Sequence, residues 1–390
     1  MMAGMGDELA GARIAVLNWR DREHPEAGGA EEYAWRIAAH LHKAGARVTF
    51  VTARAPGQRR REQVDGIQVV RAGGRWTVYP YALRWLATHR SRIDLVLDCQ
   101  NGIPFFAPLA VGRRTPVVLV MHHVHDAQFA THFPRPVAAF GGWLEGPASR
   151  VVYRRGVATA VSHSTVTAMR ERLGWTGPVY VVPNGLDPVP AEGQRAATPT
   201  LITLGRLVIH KRTDRLAAAM AQLRERHPEA RLHVVGRGPA EERVRAKAGA
   251  GVTVHGYVDE ATKARLLGES WLHVTLSDGE GWGIAVLEAA SAGLPTLCRQ
   301  VDGLRDSVRP GRTGWLVGEN APVSEVVEAL DRALVELADP ARAAAVGRDC
   351  RDWAARFDWD ATGARMAGLV AALLRGGRPD QDWVDDHPLT

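Results

Sequence analysis

Glu280 and Glu288 bracket a turn that carries Gly281, Trp282 and Gly283. An ionised carboxylate accepts hydrogen bonds and can hold a vicinal diol, so both acids suit hydroxyl groups rather than phosphate. Gly281 and Gly283 lack a Cβ, which lets backbone N–H groups come close to a ligand. The apolar residues from Ile284 to Ala292 recur at helical spacing. A helix that opens beside such a turn offers unpaired N–H donors and a positive dipole end to an anion. A phosphate cradle between two hydroxyl-binding acids is the chemistry of a nucleotide-sugar site.

Two cations fit the same ligand. Arg206 and Lys211 lie in Gly205-Arg-Leu-Val-Ile-His-Lys211, directly after the apolar run Leu201–Leu204. A guanidinium fork and an ammonium point charge together neutralise two phosphates. As plain surface cations they would stand at a helix start, where positive charge is unfavourable. Gly28 and Gly29 fall at the turn between a first apolar run, 13–19, and a helix from about Glu31 to Ala44. They lack the spacing of a dinucleotide fingerprint, and read either as a ligand-facing turn or as a tight turn alone. Met121-His-His-Val-His-Asp126 admits two readings as well. Imidazoles at i and i+3 can share a metal ion, but no second ligand cluster is evident. The other reading places His122, His123, His125 and Asp126 at the carboxyl end of a parallel strand, where open α/β sheets bind ligands.

In order along the chain, Gly28-Gly29, His122, Arg206 with Lys211, and Glu280 with Glu288 resemble the motifs of retaining glycosyltransferases of the GT-B fold, family 4 (glycosyl transferases group 1). Glu280-Gly-Trp-Gly with Glu288 resembles the family's E-(x7)-E signature, and Gly205 to Lys211 its G-R-x(4)-K element. Pro183-Asn-Gly-Leu-Asp187 is similar to its domain-boundary motif, and His255-Gly-Tyr-Val258 to the segment beside the nucleobase. The family often has Gly where Asp302 stands, which leaves the donor-loop contact there open.

The resemblance implies an α/β protein of two Rossmann-like doubly wound domains facing each other across a donor/acceptor cleft. It implies a UDP-, GDP-, ADP- or dTDP-sugar donor and a glycan, lipid-linked or natural-product acceptor. Arg206 and Lys211 would grip the diphosphate, and Glu288 would hold the ribose. Glu280 would hold the donor sugar, lined also by Gly28, Gly29, Gly281, Trp282 and Gly283. His122, with His123 as the fallback, would point at the sugar near the reacting carbon. His123, His125 and Asp126 would line the acceptor side. Retention by front-face attack needs no enzymatic nucleophile, no cofactor and no metal. Two other classes fit the architecture: a sugar-phosphate epimerase or phosphorylase, which turns over without a separate acceptor, and a non-catalytic partner subunit.

The elements that must position these residues alternate. Apolar runs at 47–52, 67–71, 94–99, 116–121, 158–161 and 179–182, mostly separated by helical spacing, argue a doubly wound α/β sheet. A second alternation runs through 201–204, 232–235, 252–258, 271–276 and 296–299, then helices at 322–337, 340–357 and 360–374. The expected organisation is an N-terminal domain over 1–186, a linker over 187–199 and a nucleotide-sugar domain over 200–358. A helix over 359–375 crosses back and a frayed tail covers 376–390. Residues 127–146, rich in Phe, Pro and Gly, read as an acceptor-side loop. Ser162 or Ser164 is the expected cap of the helix that follows.

Composition narrows the classes. The length of 390 residues suits two cores, and a mean hydropathy of −0.17 fits a soluble protein. No run approaches a membrane span, and the N-terminus lacks a signal pattern. Three scattered cysteines, Cys99, Cys298 and Cys350, suit a reducing cytoplasm. Residues 1–186 hold 23 Lys+Arg against 14 Asp+Glu, whereas the rest hold 26 against 29. A basic first half can face an anionic acceptor or anionic lipid, as a peripheral membrane contact, or be merely solvated. No nucleic-acid motif accompanies it.

Overall fold

The computed structural model describes residues 9–126, 129 and 133–377. The chain divides into two compact units, Met1–Gly185 with Trp359–Thr390, and Leu186–Asp358.

The first unit is built on eight strands: β1 (Arg13–Leu17), β2 (Arg47–Thr52), β3 (Arg61–Val64), β4 (Ile67–Arg71), β5 (Leu95–Gln100), β6 (Val117–Met121), β7 (Val157–Ala160) and β8 (Val179–Val181). Their order is β3-β4-β2-β1-β5-β6-β7-β8, and every pair is parallel except β3 with β4. The chain leaves β1 toward β2 and later returns to its other side with β5. That reversal makes the carboxyl ends of β1 and β5 a topological switch point, where a crevice opens outside the strands. Helix Gly29–Lys43 buries Tyr33, Trp35, Ile37 and Leu41, and helix Trp359–Leu374 packs against it. Thr362 donates to the Pro183 carbonyl at 3.0 Å. Ser162 caps helix His163–Glu171 by accepting the Thr165 N–H at 3.1 Å.

One expectation needs correcting. Of the segment read as a loop, 127, 128 and 130–132 lie outside the described residues, but Arg135–Trp143 is α-helical and Leu144–Ala148 continues it as a wider π turn. Pro136 stands in the first turn, where its missing N–H costs nothing. A Cβ on Gly141 would come within 2.9 Å of the Phe129 ring, so this glycine answers to packing rather than to a chain break. Of the expected tail, 378–390 lie outside the described residues.

The second unit carries β9 (Thr200–Leu204), β10 (Arg231–Val235), β11 (Val252–Gly256), β12 (Leu272–Thr275), β13 (Thr296–Arg299) and β14 (Gly314–Val317). All pairs are parallel, in the order β11-β10-β9-β12-β13-β14. β9, β12 and β13 are buried along their whole length, which is why they read as near-continuous apolar runs. Here the strand order reverses between β9 and β12. The segments that leave those two strands hold Arg206 and Lys211 on one side and Glu280 on the other.

Candidate active site

In the second unit the turn after β9 and the turn after β12 are clasped together. The Asp278 N–H donates to the His210 carbonyl at 2.8 Å. The Asp278 carboxylate takes Arg212 at 2.7 Å and Arg299 at 2.6 Å. Arg212 sits at φ 53°, a left-handed conformation uncommon for a residue with a side chain. Strained backbone of this kind persists only where its surroundings hold it, and here the two Asp278 contacts do so.

Inside the clasp Lys211 forms an ion pair with Glu280, whose Oε1 also accepts from the Ser277 hydroxyl at 2.6 Å. Burial on its own would raise the Glu280 pKa. The Lys211 charge and hydrogen bond, with the Ser277 hydroxyl, outweigh it and hold the carboxyl below its ordinary range, so it stays ionised. Arg206 is exposed and has no side-chain partner among the described residues. The cations of this corner are thus committed to carboxylates, Arg206 excepted.

Helix Ile284–Ser291 opens at Gly283, which has φ 93°. A Cβ there would meet Leu304 at 3.0 Å and Ser307 at 3.1 Å, so both backbone and space require glycine. Gly303, at φ 77°, lies against the Glu280 carbonyl, and the Glu280 N–H donates to the Asp302 carbonyl at 3.1 Å. The Asp302 carboxylate itself pairs with Arg305 at 2.9 Å. Trp282 turns inward: it is 2 % exposed and meets Phe357 edge-on with ring centres 5.1 Å apart. Gly281 is half-buried beside it. Glu288 reaches Lys263 at 3.1 Å, and Lys263 also pairs with Glu260 at 2.7 Å. Each of the two signature acids therefore holds a lysine, from a chain with only four. Below Lys211, His273 on β12 is fully buried; burial and the Lys211 charge push its pKa down to about 3.

In the first unit Gly28 caps helix Gly29–Lys43, and its N–H donates to Glu31 Oε2 at 2.8 Å. A Cβ on Gly28 would meet only that oxygen, at 3.5 Å, and φ is −147°. Nothing in the fold demands glycine at this position. Gly28 and Gly29 are both exposed. His122 follows β6 directly and is 7 % exposed; its ring meets Tyr33 edge-on at 4.9 Å, and Nε2 finds no partner. His123 packs edge-on against His125 at 5.3 Å. His125 is tied to Glu145, whose Oε1 accepts the His125 N–H at 2.8 Å, Nδ1 at 3.2 Å and the Gln100 amide at 3.1 Å. Asp126 turns away to a fork with Arg172, one arm of which is 2.8 Å. Among the described residues no three His, Cys, Asp or Glu side chains form a group that could hold a metal ion.

Residue types and spacing did not point to Lys263, Ser277, His273, Asp278 or Glu145. Lysine's rarity was the one available signal for Lys263, since arginine fills most cationic positions of this chain.

Two families match in tandem. Residues 27–189 match Glycosyltransferase Family 4, and residues 190–348 match Glycosyl transferases group 1. The chain belongs to glycosyltransferase family 4. A GDP-mannose-dependent alpha-(1-6)-phosphatidylinositol monomannoside mannosyltransferase of Mycolicibacterium smegmatis is 27% identical, over 89% of this chain and 96% of that one. A GDP-mannose:cellobiosyl-diphosphopolyprenol alpha-mannosyltransferase of Komagataeibacter xylinus is 26% identical over 96% of both. Among solved structures, sucrose-phosphate synthase from Thermosynechococcus elongatus superposes with a TM-score of 0.78 at 21% identity, covering 94% of this chain and all of that one. The two doubly wound parallel units are those of the GT-B fold.

This glycosyltransferase carries a pH liability in the same residues. Burial, and secondarily the His125 charge, lower the His122 pKa from 6.5 to about 4. The unfolded chain takes up its proton near pH 6.5, whereas the folded imidazole refuses it until about 4. Stability is therefore intact above pH 6.5 and falls progressively toward pH 4, by about 3 kcal/mol for this one group. Urea melts across that window should show the loss, and His122→Gln should lessen its slope, leaving the share of the buried His273, whose pKa is shifted the same way. An unchanged slope in the variant would contradict the assignment.

Proposed function

We propose that this glycosyltransferase moves a sugar from a nucleoside-diphosphate donor, GDP-mannose foremost, to a hydroxyl of a lipid-linked acceptor. The anomeric configuration is retained and no metal takes part. The observation that carries the reading is the Lys211–Glu280 pair beside a partnerless Arg206 at the strand-order reversal of the second unit. The two relatives named above support the donor and the acceptor class, since both act with GDP-mannose and one on a phosphatidylinositol mannoside. The basic charge of residues 1–186 supports peripheral contact with anionic lipid at the cytoplasmic face.

In this reading Arg206, Lys211 and the N–H groups at Gly283 take the diphosphate and stabilise the charge it gains on departure, the work Mg²⁺ does elsewhere. Glu280 accepts hydroxyls of the donor sugar and Glu288 those of the ribose. The bond from the acceptor oxygen to the anomeric carbon forms on the face from which the diphosphate leaves, and the acceptor's proton passes to the departing phosphate oxygen. His122, kept neutral by burial, positions the sugar. Gly28, where the fold tolerates a side chain, leaves room for the donor.

The test is GDP-mannose with a bacterial lipid extract in EDTA, following GDP release and the linkage of the product. Release undiminished by EDTA and an α-linked mannolipid are expected. Activity lost in EDTA and restored by Mg²⁺ would contradict the metal-free mechanism, and a β-linked product would contradict retention.

A further inference from the structure

Helix Arg135–Trp143, its π turn Leu144–Ala148 and helix Ser149–Val152 run on without a break. Their amphipathicity is inverted. The buried positions are Gly141, Glu145, Gly146 and Ser149, small or polar residues. Glu145 turns inward, where its Oε1 accepts from Gln100 and His125, and the Ser149 hydroxyl donates to the Leu144 carbonyl at 2.7 Å. The outward positions are apolar and large: Val137 is 48 % exposed, Phe140 59 %, Trp143 52 % and Val151 60 %. Phe140, Trp143, Pro147 and Val151 follow one another at steps of three and four, one stripe along one face. Phe140 and Trp143 stack with ring centres 5.9 Å apart, a flat aromatic surface turned to the outside.

A stripe of this kind on a soluble surface marks an interaction face. Charge selects the partner. Arg135, Arg150, Arg154 and Arg155 are exposed along the same segment, and Glu145, the one acid between residues 133 and 156, is buried. Large apolar residues with a Trp among them, flanked by arginines and free of exposed acids, match the interface of an anionic bilayer: rings at the level of the headgroups, guanidinium groups on phosphates. No helix among the described residues is long and apolar enough to cross a membrane. We infer that residues 135–155 are a lipid-docking face that seats this glycosyltransferase on anionic membranes. The inference deepens the peripheral-contact part of the proposed function by assigning it to one surface, and it stands apart from the donor chemistry.

The experiment is co-sedimentation of the full chain with vesicles of phosphatidylcholine containing phosphatidylglycerol, and with phosphatidylcholine alone. Binding to the anionic vesicles, weakened by salt, is expected. Phe140→Ser with Trp143→Ser, and separately Arg150→Gln with Arg154→Gln, should each lower the partition coefficient by about tenfold or more. Val335→Ser, an equally exposed apolar site in the second unit, should leave it unchanged. The thermal shift given by GDP should be the same in all variants, which separates this claim from the donor site and excludes misfolding. Three results would overturn the inference: no sedimentation with anionic vesicles, unaltered binding by both double variants, or a dimer in solution that the aromatic variant abolishes.

Discussion

Lys211→Met should lower kcat/KM about a thousandfold, most of it in kcat. Removing one preorganised donor from developing charge costs roughly that much in other transfer reactions, and Lys211 is the cation whose partner is the signature acid Glu280. The change has a second consequence. Glu280 loses the charge that opposes the effect of its burial, so its carboxyl pKa rises and the second unit becomes less stable at neutral pH. The double variant Lys211→Met with Glu280→Gln should regain that stability and none of the activity. Steady-state kinetics alongside urea unfolding separates the two effects. Equal stability of the single and double variants, or a loss of activity under tenfold, would contradict the role given to the pair.

Arg71→Met should destabilise the first unit by about 3–5 kcal/mol. Arg71 stands at the end of β4 with its side chain 1% exposed, ion-paired to Asp21 and, at 3.0 Å and 2.6 Å, to Glu23 and Glu62. Asp21 is as deeply buried, and without the guanidinium it becomes an uncompensated internal charge. These contacts tie the segment that leaves β1 to β4 and to the edge strand β3. Since that segment runs on to Gly28, activity should fall with stability. Adding Asp21→Asn should recover part of the loss, because a neutral amide is less costly to bury than a lone carboxylate. Denaturant midpoints of the three proteins check this.

Much of the fold was legible because parallel strands buried on both faces are short apolar runs. β6, Val117–Met121, and β9, Thr200–Leu204, stand within a residue of their expected limits for that reason. The edge strand β3 was not legible by that rule, since Arg61-Glu-Gln-Val64 carries no apolar run; the Asp65-Gly66 turn, with both residues at positive φ, was its only mark. Helix Arg135–Trp143 was misread because its outward apolar face and inward glycines invert the expected pattern.

The site divides in the same way. Arg206, Lys211 and Glu280 stood out in the sequence because charged residues beside glycines at strand exits have few structural uses, and Glu288 by its spacing from Glu280. The clasp of Asp278 with Arg212 and Arg299, and the partners Ser277 and Lys263, depend on which segments the strand order brings together. Spacing along the chain does not carry that information. Glu145 belongs to the same class: it lies 20 residues from its partner His125.

The most direct test of the account is thermal unfolding of the protein with GDP, UDP, ADP and dTDP, each with and without Mg²⁺, beside the Glu288→Ala variant. At about 100 times its dissociation constant a nucleotide adds about 2.7 kcal/mol to the folded state. The account predicts that GDP stabilises the wild type, equally with and without Mg²⁺, and that Glu288→Ala abolishes the shift. If no nucleotide moves the transition, or GDP stabilises the variant as well as the wild type, the second unit does not hold a nucleotide-sugar donor through these residues.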